Sequence, residues 1–393
     1  MKKIAVVYEG DIYNRFGGYN AIQNRIVHLR RCANYRIDAF VMQVYDGRMM
    51  SLLRDSDYIT QRPEQVTISK VSYRMKWFKR SWIDAATHRL LGSEPKKMMQ
   101  FINNLAQEFK DYDLISAHDR IGGLVAMRAN ELYGIPFFVT WHGFSIHTDP
   151  FRDSMIRRQT VRLLTKATGN FFVSQALAEK AHELTTDEFA STVLYNGVST
   201  EFKRYTDEYR NELKRQAGVE GCKVVAFVAR FDPIKNTNLL PVIYERISKR
   251  YNGKVVFWAI GDGPTRKCTE KKMTVPCKFW GYQEPEQMPN FMNCVDVLVL
   301  PSKREGLPLV SLEAIKCGAG VVASSGLGSC DYIGRDNMFD LESNTFIDDI
   351  SNRAVAMLNG KVPRQHISDK LSWEETAERE NAIYAKCMTQ QRK

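Results

Sequence analysis

Among its 8 cysteines and 7 histidines the chain has no CxxC pair and no Cys/His ligand spacing, so no metal site is expected. At 393 residues it is long enough to bury a core without disulfides. The scattered cysteines are therefore expected to be reduced thiols, as in a cytoplasmic protein. No run of eighteen apolar residues occurs, and no transmembrane helix is expected. The opening Met1-Lys2-Lys3 leads into a short apolar run that Glu9 and Asp11 interrupt. That run is too short for a secretory leader and reads as a first buried strand. There is no GxGxxG, which removes support for a dinucleotide fingerprint. No internal repeat or low-complexity segment is present.

What remains is an ordinary globular composition, 44% hydrophobic and 26% charged, of a length that suits two or three domains. The net charge of +11 fits a nucleic-acid partner, an anionic membrane, phosphorylated substrates or simply a soluble surface. Lys70 to Trp82 is its densest local expression. The stretch holds Lys70, Arg74, Lys76, Lys79 and Arg80 with no acid, interleaved with Tyr73, Trp77, Phe78 and Trp82. Basic and aromatic residues together suit peripheral contact with an anionic membrane surface. The other reading is a loop whose aromatics dock inward. No nucleic-acid motif accompanies the stretch, so nucleic acid is not expected as a partner.

Strand and helix patterns alternate along the chain, which predicts parallel α/β sheets. Lys3–Tyr8 reads as a strand, and a loop carrying Gly17-Gly18 follows it before a helix. His118 and His142 each stand at the carboxyl end of a predicted strand, the edge where open α/β sheets bind ligands. His142 is the stronger functional candidate. Residues 83–109 read as one helical stretch. Residues 201–221 are polar and lack a strand signal, which places the domain junction there. The alternation restarts at Lys223. The predicted organisation is an N-terminal Rossmann-like domain over 1–200 and a C-terminal one over 201–375, with a final helix at about 376–393 crossing back.

Val297 to Ala323 is the most informative stretch. Val297–Leu300 is a buried-strand run, Lys303–Gly306 a polar loop, and Pro308 sits where a helix can begin. Glu305 and Glu313 flank that helix start, eight residues apart. A helix N-terminus offers N–H groups and partial positive charge to phosphate. An ionised carboxylate accepts two hydrogen bonds from a vicinal diol. The arrangement fits a nucleotide-sugar held at both ends. Arg230 and Lys235, beside Pro233, supply cations that can neutralise a departing diphosphate.

With these residues in place, the chain resembles the retaining glycosyltransferases of family 4, which have the two-domain GT-B fold. The matching pieces fall in order: Gly17-Gly18, His142, Ser174, Asn196-Gly197, Arg230 with Lys235, and Gly261-Asp262-Gly263. Gly281, Pro301-Ser302, Glu305 with Glu313, and Ser372-Trp373-Glu374 complete the set. The resemblance implies two Rossmann-like parallel-sheet domains facing across a cleft, the first for acceptor and the second for donor. It implies donor diphosphate on Arg230 and Lys235, donor sugar on Glu305 and ribose on Glu313. It further implies close backbone from Gly306, Leu307, Pro308 and Leu309, the base near Gly281-Tyr282, and His142 near the reacting sugar. Gly320 stands where the family often has proline. The segment from Gly326 to Asp331 lacks the family's Pro-Glu element, so no role is carried there.

The expected activity is transfer of a sugar from a UDP- or GDP-sugar to a hydroxyl of a glycan or lipid-linked acceptor. No cofactor and no metal are expected. The cytoplasm, or the inner face of the cell membrane, is the expected location. The alternatives are a GT-B epimerase or phosphorylase, or a non-catalytic glycan- or membrane-binding protein of the same fold.

Overall fold

The computed structural model describes residues 1–11, 17–48, 51, 59–68, 71–326, 328, 330–368 and 371–390. Lys70, Leu327, Ser329 and the loop residues 12–16 therefore lie outside the described residues. Two compact units are present. One comprises Met1–Asn196 with Trp373–Lys393, and the other Gly197–Ser372.

The first unit is built on β1 (Lys2–Glu9), β2 (Tyr35–Tyr45), β3 (Gln65–Ile68), β4 (Val71–Lys79), β5 (Leu114–His118), β6 (Phe137–Trp141), β7 (Gly169–Phe172) and β8 (Ser191–Val193). Among the described residues they form an 8-stranded sheet, ordered β3-β4-β2-β1-β5-β6-β7-β8. All neighbours are parallel except the edge pair β3–β4. β5 and β6 are buried along their whole length, which is why they lack the strict apolar–polar alternation of a half-exposed strand. Chain order reverses between β1 and β5, so the carboxyl ends of those strands open a crevice. The helix Asp119–Tyr133 closes tightly on β1 at Gly122, where a Cβ would stand 2.5 Å from the Val7 carbonyl oxygen.

The basic, aromatic stretch is corrected by this sheet. Val71–Lys79 is not a surface anchor but an interior strand between β3 and β2. Its period of two buries Val71, Tyr73 and Met75, while Arg74 and Lys76 alternate with them and meet Asp38 and Glu108. Phe78 is buried as well, and Trp77 donates Nε1–H to the Pro63 carbonyl. Only the end of the stretch, from Lys79 to Trp82, keeps the exposed character expected of it, with Ser81 buried. The predicted helix over 83–109 is likewise divided. Trp82–Leu91 ends at Gly92 in the left-handed region, Pro95 precedes Lys96–Ala106, and a 3-10 turn covers Gln107–Phe109.

The terminal helix Trp373–Gln390 completes the first unit's core with Ala377, Tyr384 and Met388. A buried ion pair fixes it. Arg25 Nη1 meets Glu380 Oε2 at 2.9 Å, and each side chain is 1% exposed. Arg25 also donates to the Leu194 carbonyl and to Asn196 Oδ1, and the Tyr384 hydroxyl donates to Glu380 Oε1.

The second unit carries β9 (Lys223–Val228), β10 (Val255–Ile260), β11 (Cys277–Gly281), β12 (Val297–Leu300), β13 (Gly320–Ser324) and β14 (Met338–Phe339). Among the described residues the 6-stranded sheet runs β11-β10-β9-β12-β13-β14, all parallel. Its order reverses between β9 and β12. Among the described residues no helix is long and apolar enough to cross a membrane.

Candidate active site

In the second unit the switch between β9 and β12 gathers the residues singled out in the sequence. Arg230 leaves the end of β9, and Asp232 caps the 3-10 turn Pro233–Lys235 by accepting from the Ile234 N–H at 3.0 Å. Arg230 Nε stands 4.0 Å from Asp232 Oδ2. After β12 the polar loop turns back, and Lys303 N–H donates to the Ile234 carbonyl at 2.8 Å, which ties the two loops together. That contact sets the central pair: Lys235 Nζ lies 2.5 Å from Glu305 Oε2, with side chains 19% and 14% exposed. The predicted phosphate cation and the predicted sugar carboxylate are thus each other's partners.

Sequence reading assigned nothing to the segment after β13, yet it holds Glu305. Glu305 N–H donates to the Gly326 carbonyl at 3.2 Å, and Gly328 N–H donates to the Glu305 carbonyl at 3.0 Å. A Cβ at Gly326 would stand 2.2 Å from the Lys303 carbonyl oxygen. The two glycines were the available signal, and they act on the backbone of Glu305 in place of a Pro-Glu element.

Gly306, Leu307 and Pro308 are buried, and Pro308 caps the helix Leu309–Lys316. Glu313 lies in its second turn. Its side chain keeps some exposed surface, but the surrounding protein pushes its carboxyl up to about 7, by burial alone. Among the described residues no cation forms an ion pair with it.

Gly261 has φ +124, and a Cβ there would stand 2.0 Å from the Ala229 carbonyl oxygen, so the loops after β9 and β10 touch backbone to backbone. Its N–H donates to the Gly281 carbonyl at 2.8 Å, which brings the ends of β10 and β11 together. Tyr282 follows, 45% exposed.

In the first unit Glu9 and His118 end β1 and β5, and His142 follows β6, around that sheet's own switch point. His118 Nδ1 and His142 Nε2 are 2.9 Å apart, with the rings inclined at 28°. His118 is fully enclosed, and His142 is half-buried. Burial, and after it the nearby Arg25 charge, push His142 down to about 3. Burial, His142 and Arg25 together hold His118 well below the usual imidazole range. Both rings are neutral near pH 7, so one hydrogen lies between them. One ring donates and the other accepts.

Asp119 accepts from the His142 N–H at 3.1 Å. It does so from φ +54, a conformation a non-glycine residue rarely holds, so local strain is stored next to His142. Burial raises its carboxyl to about 6 against the lowering effect of the hydrogen bonds from His142 and Ser145. Asp119 and His118 were undervalued in sequence because their partners lie 23 and 24 residues away.

Gly17 and Gly18 open the helix Gly17–Cys32. Ser174 caps the helix Gln175–His182, and Asn196 accepts from Arg25, so these two family-like positions have structural duties. The structure therefore gathers the selected residues into two constellations, one in each unit.

Residues 222–359 match the family model described as Glycosyl transferases group 1, and residues 71–202 match the one described as Glycosyltransferase Family 4. A Bacillus subtilis glycosyltransferase named for teichuronic acid biosynthesis is 25% identical over 286 residues, 72% of this chain and 66% of the relative. The lipopolysaccharide 1,2-N-acetylglucosaminetransferase of Salmonella typhimurium is 27% identical over 214 residues, 48% of this chain and 55% of the relative. The chain thus spans less than two thirds of these relatives' own lengths. Among solved structures, Anabaena HepE in complex with UDP and glucose shares the fold. Its TM-score is 0.65 at 18% identity, covering 100% of this chain and 98% of that one.

Proposed function

The chain belongs to the GT-B glycosyltransferases, and we propose that it moves a sugar from a UDP- or GDP-sugar to a hydroxyl with retained anomeric configuration. The observation that carries the reading is the Lys235–Glu305 pair at the β9/β12 switch point, with the half-buried Glu313 in the helix that follows. Lys235 and Arg230 take the donor diphosphate, Glu305 the sugar hydroxyls and Glu313 the ribose diol. Backbone from Gly306 to Leu309 lies along sugar and phosphate, and Gly281-Tyr282 border the base.

In the reaction the bond between the anomeric carbon and the β-phosphate oxygen breaks, and its electron pair leaves with the diphosphate. Arg230 and Lys235 stabilise that charge. The acceptor oxygen bonds to the anomeric carbon on the same face, and its proton passes to the leaving diphosphate. His142, neutral, keeps one ring nitrogen free of His118 for a hydrogen bond to a sugar hydroxyl. No metal or cofactor takes part. Relatives named for teichuronic acid and lipopolysaccharide support a glycan or lipid-linked acceptor in polysaccharide assembly. The free thiols are in keeping with a cytoplasmic location.

The test is a thermal-shift panel of nucleotide-sugars, followed by turnover of any binder with and without chelator. A UDP- or GDP-sugar should raise the melting temperature, and chelator should leave turnover unchanged. Lys235→Ala, which strands Glu305, should weaken the binder about tenfold or more. A panel without a binder, or a Lys235→Ala variant with unaltered affinity, would sink the assignment.

A further inference from the structure

The helix Trp82–Leu91 is built inside out. Its exposed face carries Trp82, Ile83, Leu90 and Leu91, which are 67%, 44%, 80% and 77% exposed. At about 3.6 residues per turn Ile83 and Leu90 stack, with Trp82 and Leu91 on either side. The face turned to the protein is polar. Asp84, 8% exposed, accepts from the N–H groups of Lys97 and Met98 at 3.0 and 3.1 Å and so caps the following helix. His88 lies 2.6 Å from Asp153 through Nε2 and 3.1 Å from the Ser93 carbonyl through Nδ1. These polar anchors fix the helix in a rotation that holds four large apolar side chains out in water. A soluble helix normally turns the other way.

The surround is cationic. Lys79, Arg80, Arg89, Lys96 and Lys97 are exposed along the same segment. Arg80 has Asp46 at 3.2 Å. Of the carboxylates between 79 and 97, Asp84 is consumed in capping, and Glu94 accepts from Gln159. A two-fold contact with a second copy would set these cations against their own kind, which is unfavourable. An anionic bilayer satisfies both parts at once. The apolar row enters the headgroup boundary, Trp82 sits at the interfacial level, and the cations meet lipid phosphates.

We propose that the outward face of Trp82–Leu91, with its flanking basic residues, docks this protein on anionic phospholipid. The docking surface is independent of the donor assignment, because it uses none of the donor residues.

The test is co-sedimentation of the full chain with vesicles of phosphatidylcholine alone, and of phosphatidylcholine with about a third phosphatidylglycerol. The wild type should bind the anionic vesicles, and about 0.5 M salt should weaken that binding. Leu90→Ser/Leu91→Ser should lower it about tenfold or more, because little hydrocarbon is left to insert. Arg89→Gln/Lys96→Gln should lower it more modestly. These side chains are exposed, so melting curves and nucleotide-sugar binding of the variants should match the wild type. The Trp82 emission, isolated by difference against Trp82→Phe, should shift to the blue on vesicles. A wild type that ignores anionic vesicles, or a serine variant that binds as well as the wild type, overturns the proposal. So does a lipid-free dimer that the serine variant abolishes, which would give this face to a second copy.

Discussion

Donor binding should strengthen with pH across neutrality, and Glu313 should be the cause. Its carboxyl is pushed up to about 7 in the empty site, from an ordinary value of 4.5. A raised carboxyl keeps its proton until the pH nears that value, whereas a ribose diol needs the ionised form as acceptor. Binding must therefore expel the proton. With a value near 7, about one site in eleven is ionised at pH 6 and about ten in eleven at pH 8. Affinity for the nucleotide-sugar should then rise about tenfold over that range, close to 1.4 kcal/mol. The right ligand is an intact nucleotide-sugar. A free nucleoside diphosphate ends in a phosphate that itself titrates near pH ~6 and would blur the effect. Isothermal titration in two buffers of different ionisation enthalpy counts the protons directly. About half a proton per donor should be released at pH 7.

In Glu313→Gln the dependence should flatten and the release vanish. The empty protein should also gain stability at pH 8 but not at pH 4. The sign follows from linkage: a carboxyl raised on folding destabilises the fold once pH passes its unfolded value, and that cost is complete above pH 7. Affinity that is level from pH 6 to 8 in the wild type would refute the reasoning, as would a slope that survives in Glu313→Gln.

His118 should act as a positioning residue for His142. In His118→Phe, kcat should fall about tenfold while the donor KM holds, with part of the loss recovered in His118→Asn. A changed nitrogen chemical shift for His142 should accompany the loss, and an unaltered kcat in the phenylalanine variant would refute the role. The Arg25–Glu380 pair should matter most when it is broken on one side. Glu380→Gln should destabilise the first unit by about 3–5 kcal/mol, and Arg25→Met/Glu380→Leu should recover most of that. Urea unfolding followed by hydrogen exchange in β1 and β5 tests this, and a Glu380→Gln variant within about 1 kcal/mol of wild type would count against it.

The alternation of strands and helices was legible because parallel strands buried on both faces leave continuous apolar runs, as at Val297–Leu300 and Val224–Val228. The residues proposed for the donor were legible because loops at a switch point are short and their chemistry is local in sequence. β4 was not, although its period of two was present. Arg74, Lys76 and Lys79 gave the stretch the look of a surface, and the partners Asp38 and Glu108 lie far from them in sequence. The rotation of Trp82–Leu91 was hidden for the same reason. Asp153, which holds His88, lies 65 residues away. The Lys235–Glu305 pair and the hold of Gly326 and Gly328 on Glu305 also needed coordinates, since loop–loop contacts leave no periodic trace.

The return of the final helix sets an order on the making of the protein. Gly197–Ser372 is one continuous piece and has all it needs once its last residue has emerged. The unit that begins the chain does not. Arg25, sealed at 1% exposure, waits for Glu380, which is synthesised 355 residues later. At about 5–20 residues per second that interval lasts on the order of tens of seconds. Throughout it the nascent first half carries an unmatched cation and the open apolar seat of Ala377, Tyr384 and Met388. The unit encoded second is thus the one positioned to mature first, and the unit encoded first closes only when the helix Trp373–Gln390 returns to it.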